Sequence, residues 1–178
     1  MHLEAYTIRL PNTTLNLVDN YAAEFMSRRH SECGFFEVTT QSPIKHRRYV
    51  EQMARYFKQE HDYDFTQFCS LDDDESDEDE YSAWLFVAYA GVEWPPVSKI
   101  FGACCFRRRD LTEPESPWEL QWVWLHTFFR NHGCLTNVWP FFRERFGNIM
   151  VEPPHTKAMS TFLKKWSSHN IKIQRSGP

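Results

Sequence analysis

Between Trp118 and Phe146 the chain passes from an apolar segment, Leu120 to Leu125, through a turn carrying Arg130-x-x-Gly133, into a stretch of helical periodicity. That order brings together a guanidinium, a run of backbone N–H groups and a helix N-terminus, whose unpaired amides and dipole attract anions. The diffuse charge of a pyrophosphate is met best by several N–H donors, and glycine at 133 lets backbone approach it with no side chain intervening. The junction therefore reads as a seat for a phosphorylated cofactor. The amides of Asn131, His132, Gly133, Cys134, Leu135 and Thr136 would be the donors, with Arg130 as a charged supplement and the Thr136 hydroxyl as a further donor.

Other reactive side chains form weaker patterns. His126 and His132 flank the turn, where a structural or solvent-facing role is expected of each. Cys104-Cys105 falls in an expected strand, so the two thiols face opposite sides and do not bind a metal jointly. Cys33 with His46, and His61 with Cys69, lack the paired spacing of a zinc site, and no metal is expected. Phosphate-loop (Gly-x-x-x-x-Gly-Lys) and nucleophile-turn (Gly-x-Ser-x-Gly) patterns are absent from the sequence.

The elements that position the turn can be read from pattern and punctuation. Leu3 to Leu10 suits a first strand closed by Pro11-Asn12, and Asn16 to Arg29 suits a helix with Leu17, Tyr21, Phe25 and Met26 on one face. A short extended piece over Phe35–Thr40 follows, and Pro43 opens a helix over Ile44–Glu60, whose Tyr49, Met53, Tyr56 and Phe57 make a buried stripe. Three strands come next, Ala83–Ala90, Ser98–Arg107 and Glu119–Leu125, spaced as an antiparallel meander, with Gly102 marking a bulge or a close backbone approach. A helix over Leu135–Phe146 capped by Gly147, a short strand over Asn148–Glu152, a helix over Thr156–Ser167 and a last strand over Ile171–Gln174 complete the reading.

Bulk properties bound the function. The 178 residues fit one domain, and 42% hydrophobic content with 15 Phe and 7 Trp supports a large core. Eight of the nine residues from Asp72 to Glu80 are acidic, a solvated loop at about 70–81 or an electrostatic collar for a cation, so the remainder of the chain is net positive. The acidic balance argues against nucleic acid as a partner, and no apolar run reaches the roughly 20 residues of a membrane helix. No signal-peptide pattern is seen and the five cysteines read as free thiols, which points to the cytoplasm.

In this order of elements the chain resembles the GCN5-related N-acetyltransferase superfamily as a divergent, bacterial-type member. The superfamily's loop, Arg/Gln-x-x-Gly-x-Gly/Ala, is matched by Arg130-Asn131-His132-Gly133-Cys134-Leu135, with Leu135 in place of the last small residue. Leu125-His-Thr-Phe-Phe-Arg130 and the stretch from Val151-Glu-Pro-Pro to Lys165 are similar to the family's flanking text. The resemblance implies an α/β fold, a mixed and mainly antiparallel sheet with helices on both faces. It also implies acetyl-CoA as acyl donor and a primary amine, small molecule or protein, as acceptor. A homodimer is compatible with it. A backbone N–H near Val123 to Leu125, with Leu125 preferred, would polarise the thioester carbonyl, and Glu119, then Glu93, would be the base. Arg107-Arg108-Arg109 would meet the acidic loop or the adenosine 3′-phosphate. The family's proton-donating tyrosine corresponds to Phe162, which leaves solvent, His155 or Tyr89 as donor. The alternative is a non-catalytic binding or interaction protein of the same fold.

Overall fold

The computed structural model describes residues 8–14, 33–63, 66, 68–70, 80–90, 97–108 and 116–174. The elements are β1 (Asn12–Thr14), β2 (Cys33–Val38), α1 (Ile44–His61), β3 (Glu80–Ala90), β4 (Val97–Arg108), β5 (Glu119–Leu125), α2 (Cys134–Phe146), β6 (Met150–Val151) and α3 (Lys157–Gln174). The six strands make one sheet in the order β2-β3-β4-β5-β6, with β1 set against β4. Every pairing is antiparallel except that of β5 with β6.

Alternation along the central strands, offset where the register shifts in the β3–β4 and β4–β5 ladders, builds two cores, one on each face. Leu85, Val87, Ile100, Cys105, Trp122 and Trp124 turn to the side covered by α1, where Val50, Met53 and Phe57 meet them. Trp84, Phe86, Phe101, Cys104, Phe106 and Leu120 turn to the other side, against Val138, Trp139 and Phe142 of α2 and Met159 and Phe162 of α3. Each large side chain so buried contributes about 1.5–3 kcal/mol. The expected α/β architecture is thus observed, and Cys104 and Cys105 do face opposite layers.

Gly102 is a point of close approach: a β-carbon there would lie 2.5 Å from Leu125 Cδ2 and 2.6 Å from the Trp124 carbonyl oxygen. Beside it the β3–β4 ladder shifts register between Phe86 and Val87, so both parts of the expectation for this glycine are met.

One expected strand is corrected. Ile171–Gln174 continues α3 rather than forming a strand, because neither glycine nor proline interrupts the chain between Thr156 and Gly177 and the helix has no reason to stop. Of the first strand expected over Leu3 to Leu10, residues 3–7 lie outside the described residues and residues 8–10 are not strand; the first described strand, β1, pairs Asn12 to Thr14 with Lys99 to Val97. The Pro11 carbonyl still accepts from Ile100 N at 3.0 Å, and Ile8 and Leu10 pack on the core, so the chain runs beside β4 before pairing with it. The expected helix over Asn16–Arg29 and the acidic run up to Asp79 lie outside the described residues. Glu80, the last acid of that run, opens β3 and pairs with Arg108 at 2.5 Å, so one arginine of the basic triplet does meet the acidic segment. No described helix is long and apolar enough to cross a membrane.

Candidate active site

The loop after β5 is built on a single 3-10 turn, Thr127–Phe129. The His126 ring Nδ1 accepts from the Phe128 amide at 3.3 Å, and Phe129 stacks on Phe101 with ring centroids 4.0 Å apart. Asn131 (φ 62°) and Gly133 (φ 83°) then take left-handed backbone, which turns the chain into α2 with Gly133 as its N-cap. The first intrahelical bond runs from Asn137 N to Gly133 O, so the amides of Cys134, Leu135 and Thr136 have no partner within the helix. Asn131 and His132 are exposed, and His132 stacks against Phe128. Leu135, the departure from the small-residue pattern, packs its side chain against the α2-side core.

Arg130 does not point into solvent. Its Nε donates to the Leu125 carbonyl at 2.7 Å, its two terminal nitrogens bind both carboxylate oxygens of Glu60 at the end of α1, and its guanidinium lies 5.8 Å from the Trp124 ring. Trp124 Nε1 donates to the same carboxylate at 2.9 Å. The Arg130 guanidinium, and then the indole N–H, hold the Glu60 carboxyl below its ordinary value of 4.5 against the opposing effect of burial. A depressed carboxyl stabilises the fold above its unfolded value, and that stability is lost as pH falls from about 4.5 through the folded value. Glu60→Gln is therefore expected to cost about 1 kcal/mol at neutral pH, the scale of a half-exposed pair, and to flatten the decline of melting temperature below about pH 4.5, read by thermal denaturation from pH 3 to 7.

Beside this loop the sheet opens. The carbonyls of Trp118 and Leu120 accept from Met150 N (2.9 Å) and Glu152 N (3.1 Å), and the β5–β6 register ends at Leu120 with Val151. On the β4 side the register shifts: Phe106 faces Leu120 but Cys105 faces Trp122, which leaves Gln121 as an extra, bulged residue. Past the bulge, His126 N donates to Phe101 O at 2.8 Å, toward β4. Two-residue alternation of the backbone then points the N–H groups of Trp122 and Trp124 toward β4, and those of Val123 and Leu125 toward the gap that β6 has vacated. Gln121, Val123, Val151, Glu152, Tyr63 and His155 are among the residues that line this narrow cleft.

The sequence-derived candidates are thus partly gathered. Arg130 to Thr136 form one loop at the open end of the cleft, with Leu125 beside it. Glu119 sits at the closed end of β5, six residues and roughly 20 Å of extended chain from Leu125. Val123 lies between them and lines the cleft. Glu93 lies outside the described residues. Phe162 packs edge-on against Trp139 with centroids 5.0 Å apart, and the His155 ring Nε2 lies 3.0 Å from the Val151 carbonyl. Cys134 is buried at the loop, and burial pushes its thiol up to about 11, which removes it as a nucleophile. Glu60, Tyr63, Gln121 and Glu152 were not singled out from sequence. Only Gln121 left a local signal there, as the one uncharged polar residue in an apolar strand.

No protein-family model matches the sequence, and comparison with curated proteins finds no match. Among solved structures, the chain is similar to two crystal structures of an aminoglycoside acetyltransferase from an uncultured soil metagenomic sample. The structure with trehalose has 11% identity and a TM-score of 0.46, and the one with sisomicin 12% and 0.47. Each match covers 76% of this chain and 86% of that chain.

Proposed function

We propose that this chain is an N-acyltransferase that moves an acetyl group from acetyl-CoA to a primary amine by direct attack. The observation that carries the reading is the parting of a parallel strand pair ahead of a helix N-terminus: β5 and β6 separate after Leu120, and the loop that follows β5 leads into α2, whose first amides have no partner within the helix. The residues present fit the donor. Helix-start amides beside a glycine suit its pyrophosphate, and the gap-facing edge of β5 suits an extended, amide-bearing arm. When bound, acetyl-CoA supplies an activated thioester.

The chain's own groups divide the remaining work. Gap-facing N–H groups on β5 donate to the carbonyl oxygen as charge develops there. Leu125 and Val123 both face that way, and Val123 is favoured because it lines the cleft and stands closer to Glu119. Glu119 acts as base toward the acceptor ammonium; it stands roughly 13 Å along the strand from Val123, so the proton reaches it along a chain of several waters. Glu93 stays the second candidate. With the Cys134 thiol held protonated, the amine attacks without an acyl-cysteine. The acceptor is a small-molecule or protein amine.

Calorimetric titration with acetyl-CoA and with CoA tests the reading, and absence of binding at high micromolar ligand sinks it. If binding is seen, free-thiol release over a panel of amines that includes an aminoglycoside tests for turnover. Glu119→Gln is expected to lower turnover roughly 100-fold while leaving acetyl-CoA affinity in place. Unchanged turnover removes Glu119 from the mechanism.

One observation favours a second reading, a binding protein that retains the fold without catalysis. The position of the family's hydroxyl donor is a phenylalanine locked into the core against Trp139. Cofactor binding with no thiol release for any amine would select that reading.

A further inference from the structure

The bulge in β5 carries its extra residue, Gln121, into the cleft between β5 and β6. The residue is only 9% exposed, and its carboxamide oxygen is shut off from solvent with no hydrogen-bond partner among the described residues. A buried amide oxygen left in this state is costly, and such groups normally sit where something else supplies the missing donor. The surroundings say what kind of donor. The Glu152 carboxylate shares the cleft, close enough to Tyr63 to help burial raise its phenol. Tyr63 already gives its own proton to the Pro154 carbonyl at 3.3 Å. The Gln121 oxygen thus lines the cleft as an acceptor whose donor is missing.

We propose that Gln121 is a ligand-recognition residue, its buried Oε1 accepting a hydrogen bond from an N–H of the molecule that occupies the cleft. The ligand class is an amide or amine N–H donor. This inference rests on the acyltransferase reading for its two sources, the amide-bearing arm of CoA and the amine acceptor. The bulge is the device that places the oxygen: in an unbroken ladder Gln121 would alternate with its neighbours, whereas here it is displaced at the point where β5 loses contact with β6.

Gln121→Met keeps the length of the side chain and removes the oxygen. Without an orphaned acceptor to bury, the ligand-free variant is expected to melt about 2–4 °C higher than the parent chain, the shift of roughly one hydrogen bond's worth of penalty. Its affinity is expected to fall roughly 10-fold for the ligand that supplies the N–H. Calorimetry with CoA, with pantetheine alone and with the amine panel separates the sources. A loss for CoA and pantetheine assigns the cofactor arm, and a loss confined to an amine, matched by its KM in the thiol-release assay, assigns the acceptor. Equal affinities of parent and variant for all three probes overturn the proposal whatever the melting temperature, since a trapped water or a packing role would explain the burial as well. If the parent chain itself binds neither CoA nor any amine, the acyltransferase reading and this subsite both fall. Should the variant not fold, the parent chain labelled with 15N at glutamine gives the second measurement. The side-chain NH2 resonances of Gln121 shift on saturation with the ligand if the carboxamide is engaged, and unmoved resonances reject it.

Discussion

Gly133→Glu is expected to abolish acetyl-CoA binding, a loss of more than roughly 1000-fold by calorimetry, or about 4 kcal/mol. Gly133 is the N-cap of α2, and the three amides that follow it have no partner within the helix. A carboxylate there both fills the space left for phosphate and repels its charge. Gly133→Ala separates this effect from strain. A β-carbon at 133 meets nothing nearer than Asn137 Nδ2 at 3.7 Å, so alanine costs only the left-handed backbone at φ +83°, about 1 kcal/mol. The alanine variant is expected to melt a few degrees lower and still bind. If Gly133→Glu binds as well as the parent, the loop is not the phosphate seat.

Gly102→Ala is expected to destabilise the fold by about 3 kcal/mol, a large cost for one added methyl group, which for a chain of this length lowers the melting temperature roughly 6–12 °C. Of the two close approaches, the one to Leu125 Cδ2 can be relieved by a rotamer change. The 2.6 Å approach to the Trp124 carbonyl cannot, because that oxygen belongs to the neighbouring strand. The methyl group therefore forces β4 and β5 apart at the end of β5 that carries Leu125 and the Arg130 loop. Reduced cofactor affinity should accompany the lower melting temperature, both measured on one preparation. A variant that melts with the parent would show that the strands yield at no cost.

How much of the fold and the site is legible in the sequence depends on whether the signal is local. β5 is readable to the residue, as Glu119–Leu125, because an apolar run bounded by Pro117 and a polar turn has few alternatives. The helix after it is readable because Gly133 and Gly147 bracket the periodic stretch. Gly102 announces itself as a lone glycine in a strand. Ile171 and Ile173 mislead because β-branched residues at alternate positions mimic a strand, while the preceding helix, with nothing to end it, sets the conformation. The bulge at Gln121 is invisible because it is a relation between two strands, and one strand's text holds no record of register. The Arg130–Glu60 pair joins residues 70 apart in sequence, a distance over which pattern reading has no reach.

That pair changes what Arg130 does for the loop. Its guanidinium reaches past the end of β5 from the loop beside α2 to the last turn of α1, which covers the opposite face of the sheet. One side chain thus rivets the two helical layers together at the mouth of the cleft. A loop fixed in this way has already lost its conformational freedom on folding, so a ligand that arrives there need not supply the free energy to order it. The positive charge expected for a phosphate is engaged by Glu60, and it holds the loop in place before any ligand arrives.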